Sequence, residues 1–236
     1  MNEYATSFGN SAADALPEKR AQFIRKTYLL LAAAIMAFIG VEAFLFVSGA
    51  AGLIANVVFS GGAIGWLLVL GLFMGVSFLA NRWATSETSK MTQYLGLGIF
   101  IVAEAVIFVP LIFISTYYAG DASVLLKAGI VTLGLFLGIT ATVFITRTDF
   151  SFLGPILAIG GFIALGFIVS SAIFGFSIGS LFAFAMVAFA GTAILYETSN
   201  VLHRFNTEQH VAASLTLFAS IALLFWYILS IFSSRD

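Results

Sequence analysis

Cysteine is absent from the chain, which excludes disulfide bonds, thiolate metal sites and a cysteine nucleophile. Charge is also scarce, because only 9% of the 236 residues are charged, whereas soluble domains hold about 25%. The net charge of −1 gives no bulk attraction to nucleic acid. Hydrophobic residues make up 61% of the sequence in continuous rather than alternating runs, which argues against a β-barrel. We therefore predict an all-α membrane protein with one helical domain.

The motifs of several enzyme and cofactor classes are missing as well. No P-loop or dinucleotide fingerprint is present, nor a GxSG motif with a membrane-embedded histidine, nor paired intramembrane aspartates. Both histidines, His203 and His210, lie in or beside a polar loop, so a haem or zinc site within the membrane is not expected. They either tune a pH response or are ordinary solvated residues. We predict a protein that is not an enzyme and has no cofactor.

Seven apolar segments reach the length of about 20 residues that a membrane-spanning helix needs. The predicted spans cover residues 27–47, 57–80, 91–115, 123–145, 152–174, 178–200 and 211–232. The turn between the first two falls within residues 48–56. Residues 1–23 are polar and of mixed charge, which predicts a flexible cytoplasmic tail, disordered at residues 10–15, ahead of a membrane domain at 24–236.

The distribution of lysine and arginine predicts the orientation. With seven spans, eight basic residues fall on one side and only Lys127 and Arg235 on the other. The bundle is therefore expected to have its N-terminus inside and its C-terminus outside. Pro110 lies within the third span and predicts a kink or an unwound point, whereas Pro155 suits the first turn of the fifth span, with Asp149 or Ser151 as its N-cap.

Glu197 is the most informative charged residue. No charged residue occurs in residues 150–196 before it, so its carboxylate is predicted at a lipid boundary, where a charge costs at least about 2.5–3.5 kcal/mol without a partner. It lies about 10 Å inward from the polar loop that follows. Arg82 is the predicted partner, and Asn200, one turn on, can donate a hydrogen bond. The pair is either a structural salt bridge or a proton-sensitive gate.

Two other acids lie within predicted spans. Glu104, near the middle of the third span, is either neutral and hydrogen-bonded or a cavity-lining carboxylate. Glu42 lies toward the outer end of the first span and is expected at the interface.

Three motifs resemble the Bax inhibitor family of seven-span proteins, and most closely its bacterial YccA-like branch. They are TRTDFSFLG at residues 146–154, AILYETSNVLHR at 193–204 and ASLTLFASIALLFWYILSIFSSRD at 213–236. The resemblance implies a bundle with the seventh span at its centre. It also implies one of two activities, a pH-sensitive calcium leak or restraint of the FtsH membrane protease with its HflK/HflC partners.

The resemblance further implies which residues form the site. Glu197 matches the acid of the sixth span and Arg82 the arginine of the second. Ser220 stands where the leak-type members carry an acid in the seventh span. A calcium site needs several oxygen ligands, so Glu197 would hold calcium only weakly unless Glu104 supplied a second carboxylate.

The serine at position 220, where the leak-type members carry an acid, favours an inner-membrane regulator of FtsH as the first hypothesis. The protein would be a poorly extractable substrate, gripped through its cytoplasmic tail. A leak gated by Arg82 and Glu197 is the alternative, and a scaffold without either activity is a third interpretation.

Overall fold

The computed structural model describes residues 11–86, 89–118, 123–177 and 179–234. Within these ranges the chain forms eight α-helices, and no strand is found there. The helices are α1 Pro17–Val47, α2 Ala50–Ser60, α3 Gly62–Ala84, α4 Lys90–Phe113, α5 Ser123–Thr146, α6 Leu153–Phe174, α7 Gly179–His203 and α8 His210–Ser233. All except α2 are long and apolar enough to cross a membrane, which confirms the predicted seven spans.

Helix α8 lies at the centre of the bundle, as predicted. It packs against α1, α3, α4, α5 and α7, and its Leu217, Leu224 and Leu229 are fully buried. A helix that is apolar on all sides requires apolar neighbours on all sides. Helix α6 lies at the periphery, where Phe162 and Phe174 are each 77% exposed and therefore face lipid.

The N-terminal prediction needs correction. Helix α1 begins at Pro17, ahead of the predicted span start at residue 27, because proline is well tolerated at the first helical position. Residues 11–15 are not disordered: Ala12 is buried, and its backbone N–H donates to the Phe205 carbonyl at 2.8 Å. The division into a tail at 1–23 and a membrane domain at 24–236 stays a prediction, and residues 1–10 lie outside the described ranges.

The predicted start of the second span, residue 57, is also wrong, because the membrane-length helix α3 begins at Gly62. Residues 50–60, predicted partly as a turn, form the short helix α2, and the membrane-length helix α3 follows it. Gly49 and Gly62 have φ values of 80° and 55°, which glycine adopts without strain. The chain changes direction at these two residues, between α1 and α2 and between α2 and α3. Ala51 and Ala55 of α2 pack beside Val109 of α4.

The two prolines behave differently. Helix α4 continues through Pro110 without an unwound point and changes into a π-helical turn at Ile114–Tyr118. Pro155 does lie in the first turn of α6, as predicted. The predicted N-cap there is wrong, because the cap residue is Phe152, while Asp149 accepts the backbone N–H of Ser151 at 2.8 Å just before the helix.

Candidate functional site

A polar cavity of about 350 Å³ lies between α3, α4, α7 and α8. Two residues predicted for the site, Glu197 of α7 and Ser220 of α8, both line it. Its full lining is Ser77, Phe78, Asn81, Phe100, Glu197, Leu215, Thr216, Ala219 and Ser220. We call this space the inner cavity. It places one carboxylate among hydroxyl and amide groups contributed by separate helices.

The carboxyl group of Glu197 has hydrogen-bond partners on two helices, Asn200 of its own helix α7 and Thr216 of α8. The side-chain amide of Asn200 donates to Glu197 Oε2 at 3.4 Å, which is the hydrogen bond that the sequence predicted. Residues three apart share a helix face, so both side chains point toward α8. Asn200 is itself buried, and its Oδ1 has no hydrogen-bond partner among the described residues.

Arg82 does not neutralise this carboxylate. The structure pairs Lys90 with Glu208 at 3.4 Å, but in the described part of the chain no ion pair joins Arg82 to Glu197. The predicted salt bridge between the second and sixth spans is therefore absent. Each helical residue turns the chain by about 100°, so the neighbouring Asn81 lines the inner cavity while Arg82 lies exposed on another face of α3.

Glu104 lines a second cavity of about 420 Å³, which we call the middle cavity. It shares three wall residues with the inner cavity, namely Ser77, Phe100 and Ala219. Glu104 therefore lines a cavity, whereas whether it is neutral or charged stays a prediction. Glu42 differs from expectation, because it is only 7% exposed inside the bundle rather than interfacial, and neither carboxylate oxygen has a hydrogen-bond partner among the described residues.

Ser199 connects the end of α7 to the loop between α5 and α6. Its hydroxyl accepts the backbone N–H of Phe150 at 2.8 Å and donates to Asp149 Oδ1 at 3.5 Å. The backbone N–H of Ser151 that binds Asp149 lowers the pKa of this exposed carboxyl. The run YETSN therefore serves two purposes, since Glu197 lines the cavity while Ser199 anchors a loop.

The two histidines do not line the inner cavity. His210 is buried rather than solvated, and its Nε2 lies 3.1 Å from the Tyr94 hydroxyl. His203 Nδ1 lies 3.0 Å from the Ser199 carbonyl oxygen. His210 thus links the start of α8 to α4, whereas the contacts of His203 lie within α7, and a role of either histidine in a pH response stays a prediction.

The inner cavity fits calcium poorly. Its one carboxyl group comes from Glu197, while Ser77, Thr216 and Ser220 add hydroxyls and Asn81 adds an amide. Calcium prefers six to eight oxygen ligands with more than one carboxylate. In the described ranges no group of three or more His, Cys, Asp or Glu side chains is placed to hold a metal ion.

Sequence reasoning missed three polar residues of the inner cavity, Ser77, Asn81 and Thr216. Ser77 and Thr216 are polar residues within apolar runs, and Asn81 directly follows one; this position is the signal by which they could have been found. Such residues usually face a protein interior or a cavity, because lipid offers no hydrogen-bond partner.

Comparison with known proteins identifies relatives across bacteria, eukaryotes and viruses. Bax inhibitor 1 of Schizosaccharomyces pombe is 30% identical over 70% of this chain and 61% of its own length. An uncharacterized protein of Pseudomonas aeruginosa is 30% identical over 68% of each chain. The Golgi anti-apoptotic protein of vaccinia virus is 28% identical over 95% of this chain and 90% of its own. No solved structure gives a significant match.

The family described as inhibitor of apoptosis-promoting Bax1 matches residues 20–236, which is nearly the whole membrane bundle. The chain therefore belongs to the Bax inhibitor family of multi-pass membrane proteins.

Proposed function

We propose that the protein is a pH-sensitive cation leak whose path begins at the inner cavity. The observation that carries this proposal is the placement of Glu197 in a polar cavity rather than in an ion pair. An ionisable group within a membrane protein commonly marks an ion or proton pathway. This observation moves the leak ahead of protease regulation, which the sequence alone placed first.

Glu197 would be the pH-sensing group, with Asn200 orienting its carboxylate. Protonation would remove the charge that attracts a cation into the cavity. Arg82 has no part in this proposal because it lies exposed and unpaired with Glu197. Ser220 and Thr216 would supply neutral oxygen ligands only, which disfavours strong calcium binding.

The test is ion flux into liposomes that contain the purified protein. Calcium, potassium and proton entry are measured with trapped dyes between acidic and neutral pH. Glu197→Gln should change the flux and its pH dependence, whereas Glu42→Gln, which removes a buried carboxyl outside the inner cavity, and Arg82→Gln should not. Flux no greater than in empty liposomes at every pH would remove the proposal.

Restraint of FtsH remains the second candidate, and the burial of α8 favours it. Because α8 contacts five other helices, pulling either end of the chain must disrupt most of the bundle. A substrate of this kind would occupy a protease without being degraded. Ser11 and Ala12 pair with the loop before α8, and the handle for the protease would lie in the N-terminal tail. This candidate places the protein in the bacterial inner membrane with a cytoplasmic N-terminus.

Co-purification at native expression tests this second candidate. FtsH, with or without HflK/HflC, should be recovered with the protein, and deletion of residues 1–10 should change its cellular half-life. An unchanged half-life in cells with and without active protease would argue against the handle. If the liposomes show no ion flux and FtsH is not recovered with the protein, the scaffold interpretation remains.

A further inference from the structure

Three neighbouring cavities in the described part of the bundle share lining residues. The inner cavity adjoins the middle cavity at Ser77, Phe100 and Ala219. The middle cavity adjoins an outer cavity of about 370 Å³ at Trp66 and Trp226. The outer cavity is lined by Val58, Phe59, Gly62, Trp66, Pro110, Leu111, Ile114 and Trp226.

The first two cavities each contain one buried carboxyl, at different depths. Lys90 at the start of α4 contacts Glu208 beside the start of α8, so α4 begins at the membrane face where α7 ends. Along these helices Glu197 lies about 10 Å and Glu104 about 20 Å from that face. On the basis of the proposed leak, we propose that the ion it conducts is the proton. Glu104 is then the second proton carrier, reached from Glu197 through Ser77.

Ser77 lies on the wall common to both cavities. Its hydroxyl is buried and has no hydrogen-bond partner among the described residues. A hydroxyl donates one hydrogen bond and accepts two, so Ser77 can link water on its two sides. Each carboxylate accepts a proton from cavity water and returns it to water farther along. Only O–H bonds break and form in these steps, and the hydroxyl ends with the same number of protons.

The lining of the middle cavity explains why protons and not metal cations would pass. Its polar side chains are Glu104 of α4, Ser77 of α3 and Tyr227 of α8, and its remaining lining is apolar or aromatic. Helix α6 contributes only Ile168. A metal cation needs many oxygen ligands to replace its hydration shell, and this wall does not provide them. A proton needs only a chain of hydrogen bonds.

Two tryptophans separate the middle cavity from the outer one. The rings of Trp66 and Trp226 stack with centroids 6.0 Å apart and an interplanar angle of 24°. The walls beyond them are almost entirely apolar, so water and protons meet a barrier at this stack. The arrangement predicts slow proton flux that is limited at the tryptophan pair.

The experiment uses the full chain in liposomes with a pH gradient, a trapped pH dye, and valinomycin with potassium to clamp the voltage. Glu104→Gln should lower proton flux at least about tenfold, on the scale of removing a group that transfers protons. Glu104→Asp should retain most of it, and Ser77→Ala should give an intermediate loss. Trp66→Ala should increase the flux.

Glu42→Gln is the matched control, because Glu42 is as buried as Glu104 but lines neither cavity. Its flux should equal that of the wild type. Wild-type liposomes without any ion flux would overturn the proposed leak itself. Wild-type proton flux that persists unchanged in a folded Glu104→Gln variant, or metal-cation flux through the same path, would overturn the proton route and leave the leak standing.

Discussion

The amide of Asn200 donates to the carboxylate of Glu197 across 3.4 Å, one turn apart in α7. Replacing Asn200 with alanine removes this donor and leaves a partly buried carboxylate with less hydrogen bonding. We expect a loss of about 1–3 kcal/mol in stability, measured as a lower apparent Tm in detergent. Asn81→Ala, at an exposed residue that lines the same cavity, should change the Tm much less. Equal changes in Tm for the two variants would show that the hydrogen bond between Asn200 and Glu197 does not account for the loss.

Ser199 should hold the loop between α5 and α6 in place. Ser199→Ala leaves the backbone N–H of Phe150 without its acceptor, which costs about 1–3 kcal/mol. We expect faster trypsin cleavage after the exposed Arg147 at the start of that loop. Ser60→Ala, which removes a hydroxyl bonded only within its own helix, is the control and should leave cleavage unchanged.

Asp149 should make stability depend on pH. The backbone N–H of Ser151 holds the pKa of Asp149 below its ordinary value of 3.8 in an unfolded chain. Its stabilising contribution is therefore complete above the unfolded pKa and is lost as pH falls through the folded one. The Tm difference between wild type and Asp149→Ala should be present at pH 6 and shrink below about pH 4.

Asp149→Asn tests whether charge is the cause, because it keeps an acceptor oxygen and removes the titrating group. Its Tm should lie between those of the other two proteins at pH 6. If the Tm difference between the wild type and Asp149→Ala is constant over this pH range, Asp149 does not act through ionisation.

Gly96 allows α3 and α4 to approach closely. A Cβ at this position would lie 2.7 Å from the Ala80 carbonyl oxygen and 2.9 Å from the Ala84 nitrogen. Gly96→Ala should therefore separate the two helices and lower stability by about 1–3 kcal/mol. Gly98→Ala is the control, since a Cβ there meets nothing within 4 Å, and it should be neutral or stabilising by up to about 1 kcal/mol.

The orientation can be tested directly because the chain contains no cysteine. A single cysteine placed at the exposed Ser48 should react with a membrane-impermeant maleimide in intact cells. One placed at the exposed Thr85 should react only after the membrane is opened. The reverse pattern would contradict the orientation predicted from lysine and arginine.

Hydrophobic composition and length predicted the seven spans, because a membrane selects for continuous apolar runs of sufficient length. The absence of charge before Glu197 likewise marked that residue as unusual. The break between α2 and α3 was not predicted, because residues 48–80 contain no charged residue and the break depends on positive φ at Gly49 and Gly62. Local apolarity does not distinguish one long helix from two packed ones.

The partners of the charged side chains were the feature of the structure that the sequence predicted least well. The sequence predicted that Glu197 would pair with Arg82, yet one residue of helical rotation turns Asn81 into the cavity and Arg82 away from it. It also left open the alternatives for Glu104 and missed Ser77. Such relations depend on how helices are rotated against each other, and packing of the whole bundle sets that rotation.

The sequence by itself determined the membrane class, the number of spans and the acids that lie within them, since burial in lipid acts on each segment separately. Only the tertiary structure decided that Glu197 and Ser220 share a cavity, that Glu104 lines the next one, and that Glu42 lines neither. The physical reason is that a cavity is formed between helices distant in sequence, so its lining depends on their relative rotation and depth.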